Sequence, residues 1–301
     1  MQRIAFLTLF FGLVTFATAE EGFFDSNGVK IHYVTAGSGE AVVLIHGWMG
    51  DSSMWGRDSA GNTKLNTSNA EGFHLIALDC RGHGKSGKQY RVDQYGVEMA
   101  ADVVRLLDHL KIGKAHLVGY SMGAFIAGKV AASHPERVRS VVYGGQAPLL
   151  AGQLNSSTEV EAFAKAVEEG EGLGPYIIEV TPSHRPKPTL EQANAYADFI
   201  YRGKDLKALA AAGRSFGNLA VSEADLIKGK APSLFIHGDG ELAATRNRAN
   251  ALHKLLPGSQ LKVIAGADHI TTLTKPEFGG AIVSFLRSVK GSKAGPSLAQ
   301  L

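Results

Sequence analysis

Cys80 is the only cysteine in a chain of 301 residues. That excludes an internal disulfide and any zinc or iron–sulfur site built on clustered thiolates. Charge of one sign is also nowhere concentrated. The 31 Lys and Arg stand against 28 Asp and Glu, a net charge of +3, and no like-charge block occurs. A protein that tracks nucleic-acid phosphates shows a basic stripe, so no nucleic-acid partner is expected. Internal repeats and low-complexity tracts are missing, which argues against a structural or adhesive role. What is present is 45% hydrophobic residues and 36 glycines, enough for a sizeable core joined by many tight turns.

The first nineteen residues differ in character from the rest. Arg3 precedes an apolar run from Ile4 to Ala19 that ends Ala17-Thr18-Ala19 and is followed by Glu20-Glu21. A basic start, a short apolar stretch and a small-x-small site form the pattern of a secretory signal peptide cleaved after Ala19. At about 16 residues the run is short of the roughly 20 that a bilayer span needs. The expectation is an exported, periplasmic or secreted, protein with no stable membrane span after cleavage.

From Phe23 onward, strand and helix patterns alternate. Residues 30–34 alternate apolar and polar, as a half-buried strand does. Residues 41–45 are a continuous apolar run, as in a strand covered on both faces, and residues 73–78, 116–119, 138–143, 234–236 and 261–264 look similar. Between them, residues 97–110, 124–132, 250–256 and 278–286 have helical character. Such alternation predicts an α/β fold: a mostly parallel central sheet with helices on both faces. Residues 146–230 break the rhythm. They carry helical stretches at 160–168 and 190–209, punctuated by Pro175, Pro182, Pro186 and Pro188, and read as an inserted helical cap. The expected organisation is therefore a signal peptide at 1–19, a core at 20–145 and 231–288, a cap at 146–230 and a disordered tail at 289–301. Residues 56–72, rich in Asn, Ser and Thr, read as a surface loop.

Four glycine-containing stretches follow apolar runs. Gly119-Tyr120-Ser121-Met122-Gly123 lies between a strand pattern and a small-residue helix. There a serine occupies a sharp strand-to-helix turn, with its hydroxyl exposed over a helix N-terminus. His46-Gly47-Trp48-Met49-Gly50 follows the run at 41–45. The Trp48 backbone N–H, with that of Met122, is positioned to form an oxyanion hole. Asp268-His269 follows the last strand pattern and places a base at the same sheet edge. His46, His83 and His237 also lie near strand ends, but His269 completes the chain order serine, acid, histidine. His237-Gly238-Asp239-Gly240-Glu241 offers two acids to orient that base, and Asp268 is a third candidate. Cys80, within Asp79-Cys80-Arg81-Gly82-His83-Gly84-Lys85-Ser86, reads as a small packed residue.

Taken in this order, the motifs resemble those of the α/β-hydrolase fold family, over residues 28–286. The Asp79–Ser86 stretch is similar to the family's loop after its fourth strand. Gly238-x-x-Glu241 is similar to its acid loop, which more often carries Asp. The resemblance implies Ser121 as nucleophile, Glu241 as acid, His269 as base, and Trp48 and Met122 as oxyanion donors. It implies no metal or organic cofactor and a small-molecule substrate of carboxylic ester type. Lactones, C–C bonds and cofactor-free haloperoxidase or perhydrolase chemistry are alternatives on the same triad, and the last alternative is a non-catalytic ligand binder that keeps the fold. Haloalkane dehalogenases and epoxide hydrolases of this fold use an aspartate where Ser121 stands, which argues against those activities.

Overall fold

The computed structural model describes residues 20–56, 70–152, 158–170, 172–181 and 186–291. The expected signal peptide, most of the loop at 56–72, and the tail beyond residue 291 lie outside them. Eight strands form one sheet: β1 Glu20–Ser26, β2 Val29–Gly37, β3 Glu40–Ile45, β4 Phe73–Leu78, β5 Ala115–Tyr120, β6 Val138–Gly144, β7 Ser233–Gly238 and β8 Gln260–Ile264. Their spatial order is β1-β2-β4-β3-β5-β6-β7-β8. β2 is antiparallel to both β1 and β4, and every pairing from β4 to β8 is parallel. The described helices are α1 Val97–His109, α2 Met122–Ser133, α3 Thr158–Glu169, α4 Gly174–Val180, α5 Leu190–Ile200, α6 Leu206–Arg214, α7 Glu223–Gly229, α8 Ala243–Leu255 and α9 Pro276–Gly291.

Successive strand residues point to opposite faces, and here both faces are covered, which is why the central strands are mostly apolar. On one face Val43, Ile45, Ile76, Leu117, Val141 and Phe235 pack with residues of α1, α2, α7 and α8. On the other, Val42, Leu44, Val118, Val142 and Ile236 pack with Phe278, Ile282, Phe285 and Leu286 of α9. Cys80 is buried in the first of these cores. Its amide donates to His46 Nε2 at 2.9 Å, and burial pushes its thiol well above the usual range, so it is inert packing.

Four elements differ from the sequence expectation. β8, expected to be covered on both faces, is an edge strand in which only Ile264 of five residues is buried. β1 has no apolar run to announce it: only Phe24 and Ser26 of its seven residues are buried. It pairs with β2 because Asn27-Gly28, both at positive φ, closes a two-residue hairpin with Ser26 opposite Val29. The helical stretch at 190–209 is two helices. The first ends at its C-cap Tyr201, a turn with Gly203 at φ 74° follows, and the Asp205 carboxylate caps the next helix by accepting the Ala208 N–H at 3.0 Å. Helix α9 runs on through Gly291, past the expected boundary at 288. Val289 continues the buried stripe set by Phe285 and Leu286.

Helices α3 to α7 lie in chain order between β6 and β7. Phe163, Tyr176, Ala193, Ala197 and Leu209 form a core of their own above the sheet. A parallel bridge between Leu150 and Val221 closes the neck of this insertion, with Val221 N–H donating to Leu149 O at 2.8 Å. Among the described residues no helix is long and apolar enough to cross a membrane.

Candidate active site

From β3 the chain passes outward to β4, then jumps back across β3 to β5. The carboxyl ends of β3 and β5 therefore flank a crevice, the place where open α/β sheets bind ligands. Ser121 sits there, directly after β5, at φ 53° and ψ −116°. A non-glycine residue in that region is strained and persists only where its surroundings impose it. They do so through backbone bonds. Ser121 N–H donates to Gly144 O at 2.8 Å, and Ala124 N–H donates to Ser121 O at 2.9 Å. The flanking glycines are steric requirements. A Cβ on Gly119 would overlap the Gly123 carbonyl, and one on Gly123 would overlap the end of β3 at Ile45.

Ser121 Oγ lies 3.0 Å from His269 Nε2, and His269 Nδ1 lies 2.8 Å from Glu241 Oε2. A carboxylate only accepts, so Nδ1 carries the proton and Nε2 faces the hydroxyl as an acceptor. The Glu241 side chain is 1% exposed, and its other oxygen accepts the Leu242 N–H at 3.0 Å. Burial of the imidazole opposes its protonation. The hydrogen bond and charge of Glu241, with the charges of Glu159 and Asp268, outweigh that and raise its pKa above the ordinary histidine value.

The other acid candidates are occupied elsewhere. Asp239 is exposed, and its carboxylate accepts the Ala267 N–H at 3.3 Å. Backbone donors, that of Gly266 foremost, hold its carboxyl below the usual range. It ties the acid loop to the base loop, alongside Gly240 N–H donating to Ala267 O at 2.9 Å. Asp268 Oδ1 accepts the N–H groups of Ile270 and Thr271 at 3.0 and 2.8 Å, which fixes the turn after His269.

The remaining strand-end histidines are held in the core. His46 donates from Nδ1 to Gly47 O at 2.7 Å and accepts the Cys80 N–H at Nε2, and burial lowers its pKa. His83 donates from Nδ1 to Arg81 O at 2.9 Å, and burial drives its pKa down to about 3. His237 donates to Gly238 O at 2.9 Å.

Gly47 presses against the serine turn: a Cβ there would lie 3.3 Å from Ser121 Cβ and 3.9 Å from Oγ. It opens a tight turn, closed by Gly50 N–H donating to Gly47 O at 3.0 Å, with Met49 at φ 65°. Trp48 is the residue after Gly47, so its peptide begins beside Ser121. Met122 is the first residue of α2, where helix geometry provides no intrahelical acceptor for the N–H. The Trp48 peptide and the Met122 amide thus adjoin the serine turn.

One residue of the site was not anticipated. Tyr120 donates its hydroxyl to the His269 carbonyl at 2.5 Å, and its ring lies 5.5 Å from the imidazole. It joins the end of β5 to the base loop. Within the Gly119–Gly123 pattern it occupies a variable position, and only Gly144-Gly145 hinted at it. A Cβ on Gly145 would lie 2.6 Å from its ring.

Comparison with known proteins agrees with this fold. The chain is 28% identical over 279 residues to a putative 2-succinyl-6-hydroxy-2,4-cyclohexadiene-1-carboxylate synthase of Bacillus subtilis (strain 168), covering 88% of this chain and 97% of that protein. It is 31% identical over 155 residues to an epoxide hydrolase of Caballeronia sordidicola, covering 51% of this chain and 44% of that one. Among solved structures, it is similar in fold to a carboxylesterase structure from Nitrososphaera gargenis. The TM-score is 0.74 at 22% identity, over 90% of this chain and all of that one. The family model of the alpha/beta hydrolase fold matches residues 40–276, and the chain belongs to that family.

Proposed function

We propose that this protein is an exported serine hydrolase that cleaves carboxylic esters through an acyl-enzyme on Ser121. The observation that carries the reading is the continuous hydrogen-bonded row from Ser121 Oγ through His269 to the buried Glu241 carboxylate. Ser121 Oγ attacks the ester carbonyl as its proton passes to His269 Nε2. Glu241 holds the ring in place and stabilises the imidazolium. The carbonyl oxygen, now negative, is received by the N–H groups of Trp48 and Met122. Collapse expels the alcohol, which takes the proton from Nε2. Water then repeats the sequence on the acyl-enzyme and releases the acid. This route calls on no metal or organic cofactor.

The resemblance to an epoxide hydrolase supports the shared fold; the nucleophile position here holds a serine, which suits acyl transfer. The test is a panel of p-nitrophenyl esters, lactones, epoxides and C–C hydrolase substrates, assayed without added cofactor. The expected outcome is turnover of simple esters at the highest kcat/KM. Turnover of another class alone would overturn the ester assignment.

Export rests on the N-terminal sequence from Arg3 to Ala19. N-terminal sequencing of protein from its native host should read Glu20-Glu21-Gly22. Intact Met1 on the mature protein would contradict it.

A further inference from the structure

The turn carrying Trp48 is gripped from two sides. On the core side, Gly47 O accepts both the Gly50 N–H and the His46 Nδ1–H, at 3.0 and 2.7 Å. The two central residues, Trp48 and Met49, are held instead by the inserted helices. Trp48 Nε1 donates to Leu209 O of α6 at 2.9 Å, and Lys204 Nζ, in the loop before α6, donates to Met49 O. Met49 keeps a positive φ that its side chain disfavours, so its peptide needs such support.

The indole fits a slot made for it. Phe163 of α3 and Phe216 meet it edge-on, with ring centroids 5.2 and 5.7 Å away. Gly213 of α6 forms the floor: a Cβ there would lie 2.8 Å from Trp48 Cζ2 and 2.9 Å from Val160 Cγ1. Glycine inside a helix is unfavourable compared with alanine, and here the indole's approach explains it. Gly213 also stands one turn beyond Leu209, whose carbonyl the indole reaches.

We propose that the inserted helices complete the oxyanion hole. The Trp48 N–H shares its peptide plane with Gly47 O, which the core holds; by seating the indole of Trp48 and the carbonyl of Met49, α6 and Lys204 hold the rest of the turn, so the aim of this donor at the reacting oxygen depends on α6 as well as on the core. The proposal rests on the acyl-enzyme reading and adds to it: the indole, Gly213 and Lys204 are positioning groups, because they act through a backbone N–H and touch no reacting atom. It also gives the insertion a part in the chemistry.

The experiment uses the full chain and three variants: Trp48→Phe, which keeps a ring but loses the Nε1 donor, Gly213→Ala, which fills the slot, and Lys204→Met. Each is assayed for kcat and KM on a p-nitrophenyl ester. Each is also assayed for the inhibition constant of a trifluoromethyl ketone, whose hemiketal on Ser121 places an anionic oxygen in the hole. Misplacement of a donor by a fraction of an ångström to 1 Å should lower kcat about 10- to 100-fold in Trp48→Phe and Gly213→Ala, and less in Lys204→Met. The ketone should weaken in proportion, with KM changed by less than about threefold.

Ketone affinity unchanged in both Trp48→Phe and Gly213→Ala would overturn the proposal, whatever happens to melting temperature. Should Trp48→Phe fail to fold, Gly213→Ala decides alone. If the unaltered protein hydrolyses no ester and binds no ketone, the hydrolase reading fails and this inference with it. If the unaltered protein does both and only the coupling is missing, the hydrolase reading stands.

Discussion

Ser121→Ala should abolish ester turnover while leaving the fold intact. Alanine keeps the Cβ, so the backbone at φ 53° is no more strained than before, and the bonds from Ser121 N–H to Gly144 O and from Ala124 N–H to Ser121 O involve no side chain. The one described contact removed is the 3.0 Å approach of Oγ to His269 Nε2, in a half-buried position. Loss of a neutral hydrogen bond there costs roughly 1 kcal/mol of stability. The effect on catalysis is of another order. Without Oγ no acyl-enzyme can form, and only binding and oxyanion stabilisation remain. A fall in kcat of roughly 10⁴-fold or more is expected, equivalent to about 5.4 kcal/mol of transition-state stabilisation. Circular dichroism and thermal melting should be nearly unchanged. Turnover within tenfold of the unaltered enzyme would remove Ser121 from the mechanism.

Glu241→Gln should have the next largest effect. Gln keeps the size of the side chain but not its charge, and its amide loses the strong acceptor that fixes the Nδ1–H tautomer. Turnover should fall by about 10³- to 10⁴-fold. The pH profile should change as well. Activity needs neutral His269, whose pKa is raised by Glu241 against the opposing effect of burial. In the unaltered enzyme kcat/KM should therefore drop on the acid side with a midpoint above the ordinary histidine value. With Gln in place the opposing effect of burial remains and the midpoint should move down. Asp239→Asn is the matched control. Asp239 ties Ala267 N–H from an exposed position and does not touch the ring, so a loss of a few-fold at most is expected. The reverse ranking, with Asp239→Asn nearly inactive and Glu241→Gln active, would identify Asp239 as the acid.

The central parallel strands were legible because burial on both faces favours apolar runs, as in Ala41–Ile45. β1 escaped because an edge strand with five residues not buried carries no such run; its signal lay in the turn Asn27-Gly28. The glycine pattern around Ser121 was legible for a steric reason. Gly119 and Gly123 stand where carbonyls of Gly123 and Ile45 leave no space for a Cβ. Residue spacing by itself left Asp239 and Glu241 open, and only the resemblance of Gly238-x-x-Glu241 to the family's acid loop pointed to Glu241. Both follow Gly238, and what separates them is a loop path that buries one carboxylate against His269 and turns the other to solvent. Tyr120 and the Trp48 indole were illegible for a further reason. Their partners, His269 and Leu209, lie 149 and 161 positions away, and no local pattern encodes such a contact.

The central claim is that Ser121 is a nucleophile activated by its neighbours, and covalent labelling tests it most directly. The protein is exposed to a fluorophosphonate and its intact mass is measured, with Ser121→Ala treated in parallel. Phosphonylation displaces fluoride and leaves the serine oxygen bonded to phosphorus. One adduct per chain is predicted, located on the peptide containing Ser121, formed more slowly as pH falls and absent from the alanine variant. No adduct on the unaltered protein, or an equal adduct on Ser121→Ala, would contradict the claim.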